Sequence, residues 1–494
     1  MKIFGLIVLG IILYLILYDV FNKKHAIMSN FPLIGRLRYI LEKIGPEMRQ
    51  YIVAGNREET PFNRVWRNYI YASSKGENNL TGFGSDADFS KTGHFFVKTS
   101  VFPMKNDNQT TIPSAKTIGT RRNKPYRPKS VINISAMSYG SLGKRATTAN
   151  NIGADIANAY HNTGEGGYSP DYHGNGADVV FHIGTGYFGC GYTDDDGHRQ
   201  FDINKLRFLT QSNPNIKMIE LKLSQGAKPG KGGILPASKV TPDIAKIRGI
   251  EVGHTVYSPS YHSAFDNTQE MVDMIECIAD VTGLPVGIKS AVGKMIFWDD
   301  LAKIMLNTNE GPDFITIDGG EGGTGAAPIA FTDNMSLPLK EGFAQVYKTF
   351  QKYDVVDKVT WIASGKLGHP TRAVVAFAMG ADLINIAREV MMAAGCIQAQ
   401  ECHTGNCPTG ITTHKWWLEK GFDVEDKSER VGLFIKTLVK DILEVTNASG
   451  YKHPSEFTMD DVMFNTSDSA RVKTMEVLYG YKKDKVKIDE KISV

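Results

Sequence analysis

Apolar and polar positions along the chain fall into three regimes. From Ile3 to Tyr18 no charged residue interrupts the apolar run, and Val20 and Phe21 extend it past Asp19. At about 1.5 Å per residue a helix of this length reaches just short of the ~30 Å hydrocarbon layer, so it spans a bilayer narrowly. Residues 26–128 hold no lasting strand or helix period. Basic and aromatic clusters (Arg36, Arg38, Tyr39; Arg64, Trp66, Arg67, Tyr69, Tyr71) alternate there with polar stretches such as 73–79, and an irregular lead-in packed on the following domain is expected. From Val131 short β-branched runs alternate with longer amphipathic segments, the pattern of parallel strands joined by helical crossovers. The candidate strands are 131–134, 159–162, 218–222, 255–257, 286–289, 314–317, 359–363 and 383–386. Eight such runs close most naturally as an α/β fold, a (β/α)8 barrel of the TIM type.

The crossovers read clearly at 269–281, where Met271, Met274, Ile275, Ile278 and Val281 recur at helical spacing behind a cap at Asn267 and Thr268. The apolar run 179–183 precedes the turn 192–197, which reads as a hairpin inserted between the second and third barrel strands. Cys190 in that insertion and Cys277 on a helix flank carry no expected chemistry. After Cys407 the chain reads as helices, for example 428–445, and a lysine-rich tail starts at Lys482. The expected organisation is an anchor at 1–25, the lead-in at 26–128, the barrel at 129–450 with a cluster-binding loop at 395–410 after its last strand, and an extension at 451–494.

Composition narrows the function. The 56 basic residues nearly balance 53 acidic ones, for a net charge of +3 with no long single-sign run, so nucleic acid is not an expected partner. Three of the five cysteines fall within 396–407, a layout for metal or redox chemistry in a reducing compartment rather than for a disulfide scaffold. Lys23 and Lys24 outweigh Lys2, which places the main body in the cytoplasm as a single-pass protein of the cell membrane. A cleaved signal peptide competes with this reading, but the apolar run is longer than such peptides use and no small-residue cleavage site follows it.

Catalytic loops of such barrels follow the strands, and here nearly every strand ends in a polar or glycine-rich cluster. These are 135–141 (with Ala136, Met137 and Ser138), 162–167, 224–230, 258–262, 289–290, 318–325 and Ser364-Gly365-Lys366. Glycine lets backbone N–H groups approach a flat ring or a phosphate, and phosphates in these barrels usually sit at loops seven and eight, here 364–366 and 385–388. Lys289, at a strand end, can set positive charge beside a reduced flavin or a substrate oxygen. Cys396, Cys402 and Cys407, followed by Pro408, suit an iron–sulfur cluster; zinc would need His403 or His414 as a fourth ligand, and the spacing is not a finger's.

Together the strings SAMSYGS at 135–141, NTGEGG at 162–167, SQGAKPGKGG at 224–233, GGTGAAP at 322–328 and GCIQAQECHTGNCPTG at 395–410 resemble the synthase domain of glutamate synthases, over about 131–445. The resemblance implies FMN in the barrel, a 3Fe-4S cluster on Cys396, Cys402 and Cys407, and reductive amination of 2-oxoglutarate through 2-iminoglutarate. It places Gln225 and Lys289 at the flavin and Glu165, Lys228 and Arg248 around the keto acid, so that Glu165, Lys228, Arg248 and Lys289 are the expected catalytic residues. Ala136, Met137, Ser138, Gly322, Gly323, Ser364, Gly365, Lys366, Ala387 and Arg388 complete the flavin site. Where the large synthases have Asp-Gly-Gly and Gly-x-Gly-Thr, this chain has Ser364-Gly365-Lys366 and 385–388, so its phosphate pocket is expected to lean more on the charges of Lys366 and Arg388.

Residue 2 is lysine and the first cysteine is Cys190, so no N-terminal cysteine is expected to release ammonia from glutamine. The expected mechanism passes electrons from a donor that the motifs do not name through the cluster and FMN to an imine, with ammonia from solution or a partner. Two alternatives remain open: a relative that uses methylamine or makes an N-substituted glutamate, and a membrane-bound electron-transfer or redox protein that has lost the synthase reaction.

Overall fold

The computed structural model describes residues 2–22, 25–105, 109–467 and 471–486, in two units, Met1–Tyr69 and Ile70–Val494. Lys23 and Lys24, on which the expected orientation rests, lie outside the described residues, as does most of the lysine-rich tail.

In the first unit, helix Lys2–Phe21 is long and apolar enough to cross a membrane. Its one buried side chain is Asp19, whose oxygens accept Arg36 Nε at 2.8 Å and Nη2 at 2.6 Å and the Leu33 N–H at 3.1 Å. The fork meets the carboxylate with two charge-assisted bonds, which offsets the cost of burying it. The expected irregular lead-in is corrected here: Ile34–Met48 is a helix, continued by a π-turn at Arg49–Val53. Clustered basic and aromatic residues masked its three- and four-residue apolar steps.

The second unit is built on a closed, all-parallel barrel of eight strands: Ile132–Ile134 (β1), His161–Asn162 (β2), Val179–Ile183 (β3), Ile216–Lys222 (β4), Val286–Ser290 (β5), Phe314–Asp318 (β6), Thr360–Ser364 (β7) and Leu383–Ile386 (β8). Seven match the expected runs. The eighth is a correction: 255–257 is not a barrel strand, since Val256–Tyr257 pairs antiparallel with Ile234–Leu235 in a ribbon inside the β4–β5 connection. Val179–Ile183 takes its place, buried at every residue as a strand covered on both faces must be, whereas Tyr257 is 69% exposed. The hairpin Gly191–Thr193 with Arg199–Phe201 accordingly lies between β3 and β4, not between the second and third strands.

Around the barrel the expected helix at 269–281 is Thr268–Thr282, capped by Asn267 Oδ1, which accepts the Glu270 N–H at 3.0 Å. Val424–Ala448 packs on Lys144–Ile156. Residues from both flanks of the barrel join in one small sheet: Phe95–Val97 pairs with Val462–Asn465, and that strand with Val472–Thr474.

Burial makes this unit acid-sensitive. The buried rings of His173 and His262 are each pushed down to about 4 by desolvation. Glu276, despite partial burial, is held at about 2 by hydrogen bonds from Arg122, Arg121 and the Gly311 N–H. Between roughly pH 6.5 and 4 the unfolded chain binds histidine protons that the folded chain refuses, so stability falls as pH drops through that window. The Glu276 contribution is lost over a lower window, from about 4.5 toward 2, with the same sign. Thermal unfolding followed by circular dichroism should therefore show a falling Tm from pH 7 to 4.5; a flat Tm over that range would contradict the assignment.

Candidate functional site

The site grows out of the alternation of β4. Met218, Glu220 and Lys222 share one face of a strand whose residues are buried except for half-buried Lys217, which turns two charged side chains into the barrel. Glu220 Oε1 accepts Asn162 Nδ2 at 2.8 Å and lies 2.8 Å from His182 Nδ1, while Oε2 accepts the Thr316 hydroxyl at 2.7 Å. Burial works against ionisation, but the His182 bond and charge, Lys289 and Thr316 prevail and hold Glu220 at about 2.

One layer nearer the mouth, Lys222 pairs with Glu165 and donates to Gln225 Oε1 at 2.8 Å. Lys289 stands beside it in register; its Nζ lies 3.6 Å from Asp318 Oδ1 and 3.5 Å from Ser135 Oγ. Burial, then repulsion from Lys228 and Lys289, drives Lys222 well below the ordinary lysine value, with Asp318 resisting. Burial and Lys231 lower Lys228 as well. The pocket edged by Glu165, Lys222, Gln225, Lys231 and Ser260 has a free volume of only about 10 Å³, room for about one water. Beside it, sharing Leu223, Ser224 and Gly230, opens a chamber of about 550 Å³ walled by Tyr261, Phe265, Phe297 and Trp298.

Two glycines make the loop packing possible. A Cβ on Gly226 would lie 1.8 Å from Gly319 O, so only glycine lets the β4 loop touch the β6 loop, where Asp318 Oδ2 accepts the Gly226 N–H at 2.8 Å. Gly164, at φ +62°, backs onto Met137 and Ser138, where a Cβ would lie 2.5 Å from Ser138 N. That contact holds the loop carrying Ala136, Met137 and Ser138 against the β2 loop.

At loops seven and eight, Ser364 ends β7 in register with Asp318, and Gly365 turns the chain at φ +146°. Lys366 is pushed down to about 8 by burial, Arg372 and Arg388. Arg388 follows Ala387, backs onto Gly323 and donates to Glu321 O, close to Gly322. Burial lowers Arg372 and Arg388 as well, against the carboxylates of Glu321 and Glu389, and these three buried cations form a site that an arriving phosphate would stabilise. Lys289 next to an apolar-backed glycine loop suits a ring atom that gains negative charge. The donor set therefore fits FMN: phosphate at Lys366, Arg372 and Arg388, ring beside Lys289, Gln225 and 136–138.

The expected substrate residues divide. Glu165 and Lys289 both stand beside Lys222, Glu165 as its ion-pair partner and Lys289 in register with it on β5. Arg248 does not line the small pocket: it is buried, donates Nη2 to Tyr139 O at 2.9 Å, lies 4.9 Å over the Phe188 ring, and keeps a buried Nε–H without a hydrogen-bond partner. Burial alone brings it down to about 10. Lys228 does not line that pocket either.

The three loop cysteines are free thiols in one another's field. Burial pushes Cys396 up to about 11 and raises Cys402, whereas Cys407, despite burial, is held below the ordinary thiol value by Thr409 and Thr412. Lys239 Nζ donates to Cys402 O at 2.9 Å and Thr412 O at 3.0 Å, and the Tyr71 hydroxyl to Cys396 O at 2.8 Å. Among the described residues no group of three His, Cys, Asp or Glu side chains is placed to hold a single metal ion. Thiolates of a cluster bind separate irons, so three thiols near one another but not converged on a point are compatible with a cluster. His414, one of the two possible fourth zinc ligands, turns Nε2 to Gly140 O at 2.9 Å.

Lys222, Glu220, Asp318, Arg372 and Lys239 were not singled out from the sequence. The signal for the first two was available: charged residues at every second position of a barrel strand point inward.

The family model "Conserved region in glutamate synthase" matches residues 90–452. Glutamate synthase large subunit-like protein YerD of Bacillus subtilis is 36% identical over 522 residues, covering 97% of this chain and 98% of its own length. The archaeal glutamate synthase (NADPH) of Methanocaldococcus jannaschii is 30% identical over 321 residues, 65% of this chain and 59% of that one. The ferredoxin-dependent glutamate synthase of Antithamnion sp. is 32% identical over 261 residues, 53% of this chain and 17% of that one. The chain thus matches nearly all of the Bacillus relative but less than two thirds of the other two. Among solved structures, a flavocytochrome b2 double mutant with sulfite bound aligns at TM-score 0.45 and 12% identity over 96% of this chain and 99% of that one.

Proposed function

The chain belongs to the glutamate synthase family, whose members are oxidoreductases acting on CH–NH2 groups, and from that premise we propose that it reductively aminates 2-oxoglutarate, through 2-iminoglutarate, to glutamate. The observation that carries this reading is that Lys222 and Lys289 stand side by side at the ends of β4 and β5, with Lys228 in the loop after β4 close enough to join Lys289 in depressing Lys222, a repulsion that a dicarboxylate would relieve.

FMN, when bound, supplies hydride transfer, and a 3Fe-4S cluster on Cys396, Cys402 and Cys407 supplies single-electron transfer. The chain's own residues bind and orient. Glu165 holds Lys222 in the closed pocket, and an incoming carboxylate takes its place at that ammonium. Gln225, fixed by Lys222, and Lys289, held between Asp318 and Ser135, line the side toward the ring. Displaced Glu165 remains within reach of a nitrogen on the bound acid and can carry its proton. Lys366, Arg372 and Arg388 fix the phosphate end. Helix Lys2–Phe21 serves as a single-pass anchor, which its length and apolar composition support, with the catalytic body on the cytoplasmic side by the charge of Lys23 and Lys24.

A second reading is favoured by the chamber of about 550 Å³ next to the small pocket: its aromatic walls leave room for the carbon chain of a primary amine, which would make the product an N-substituted glutamate. Anaerobic, photoreduced protein mixed with 2-oxoglutarate separates the possibilities. Reoxidation with ammonia supports the first reading, and with methylamine but not ammonia the second. No reoxidation with ammonia, glutamine or methylamine would defeat both and leave electron transfer alone.

A further inference from the structure

The anchor reading of Lys2–Phe21, on which this inference rests, leaves the next long helix unexplained. In Ile34–Met48 the apolar residues Ile34, Leu37, Leu41, Ile44 and Met48 recur at steps of three and four, so at 100° per residue they form one stripe. Such a stripe ordinarily faces a core. Here it faces outward: Ile34 is 71% exposed, Leu37 57%, Leu41 61%, Ile44 43% and Met48 44%.

The depth of this helix relative to the anchor is fixed within their common unit. Asp19 lies in the last turn of Lys2–Phe21, and both of its oxygens are held by Arg36, with Leu33 N–H as a third donor. Ser29 Oγ also donates to Val20 O at 2.9 Å. The start of the second helix is thereby pinned where the first one ends, at the level where hydrocarbon gives way to headgroups. Opposite the stripe stand Lys43, Tyr39 and Arg36, the last paired with Asp19; Arg38, 4.0 Å from Glu42, and Arg49 lie at its margins, and Glu42 and Glu47 are the only carboxylates of 34–53. An apolar stripe backed by a polar side with a small cationic excess is the pattern of a helix lying in an anionic bilayer surface.

We propose that Ile34–Met48 is an interfacial helix, lying along the bilayer face from which its neighbour emerges, with Leu37, Leu41 and Ile44 at the acyl boundary and Lys43 toward water. A second copy of the chain fits less well, because the stripe starts at the pinned junction and so shares the depth of the lipid.

The test places single tryptophans in the full chain, reconstituted in phosphatidylcholine–phosphatidylglycerol vesicles with and without brominated acyl chains. Each variant is read as the fluorescence it adds to the parent. Leu41→Trp is expected to lose at least about half of its added signal to bromine and Lys43→Trp little, with Leu9→Trp reporting on the span. Ile44→Trp stands in if Leu41→Trp does not fold. Quenching at position 9 but not at 41 or 44 would overturn the inference alone, including the case where a blue-shifted, unquenched signal shows that protein covers the stripe. Equal quenching at 41 and 43 would also overturn it. No quenching at position 9 would remove the span, and the inference with it.

Discussion

Glu220→Ala will destabilise the barrel by about 3–5 kcal/mol, a large share of the ~5–15 kcal/mol by which domains are usually stable. Glu220 is 1% exposed and serves as acceptor for Asn162 and Thr316 and as partner of His182, groups from β2, β3 and β6. Alanine removes every one of those contacts at once, and no water reaches the gap freely to replace them. Glu220→Gln keeps one carbonyl acceptor and loses the charge, so its cost should be smaller, about 1–3 kcal/mol. Urea unfolding followed by the fluorescence of buried Trp298 and Trp361 orders the variants. A midpoint for Glu220→Ala equal to that of the parent would show that the network contributes nothing to holding the strands together.

That network explains why the sequence was legible at one level and silent at another. Runs such as 314–317 and 383–386 announce strands because burial on both faces demands continuous apolar residues, and the closure into eight follows. The error at 255–257 has the same origin. A three-residue run satisfies local preference but says nothing of burial on both faces, which Tyr257 at 69% exposed does not have, whereas Val179–Ile183, read only as an apolar run before the hairpin, is buried at every residue. Loop glycines and cysteines were visible because their chemistry is local: Gly226 needs no partner to be recognised as glycine, and Cys396, Cys402 and Cys407 lie close in sequence. Charge pairing was not visible. Lys222 meets Glu165 across 57 residues and Lys289 meets Asp318 only once β5 and β6 are in register. Glu165 and Lys289 could be named from the resemblance, but not the partners that set their state. Arg248 shows the converse: its identity was read, yet its place behind Tyr139 depends on how the β4–β5 connection folds back. The helix Ile34–Met48 was missed because a stripe is sought as a buried face, and its neighbours in sequence are arginines and tyrosines.

On the proposed reaction, Lys222→Met will weaken 2-oxoglutarate binding by about 10²–10³-fold while FMN content stays unchanged, and Glu165→Gln will strengthen it. The two predictions have opposite signs because the pair occupies the pocket that the acid must enter. Its free volume of about 10 Å³ cannot accept a keto acid while Glu165 and Lys222 stay in contact. The substrate carboxylate therefore has to displace the protein's own. Removing the ammonium takes away the cation that the substrate needs and leaves half-buried Glu165 without its partner; removing the charge of Glu165 removes the competitor. Lys222→Arg should recover part of the loss, since a guanidinium keeps the charge but is too broad for a site in which Gln225 sits 2.8 Å from Nζ. Calorimetric titration of the oxidised protein with 2-oxoglutarate measures affinity apart from turnover. If the pair were only a structural brace, both substitutions would loosen the pocket and weaken binding together, and that result would place the acid elsewhere, beside Arg248 and its unpartnered Nε–H.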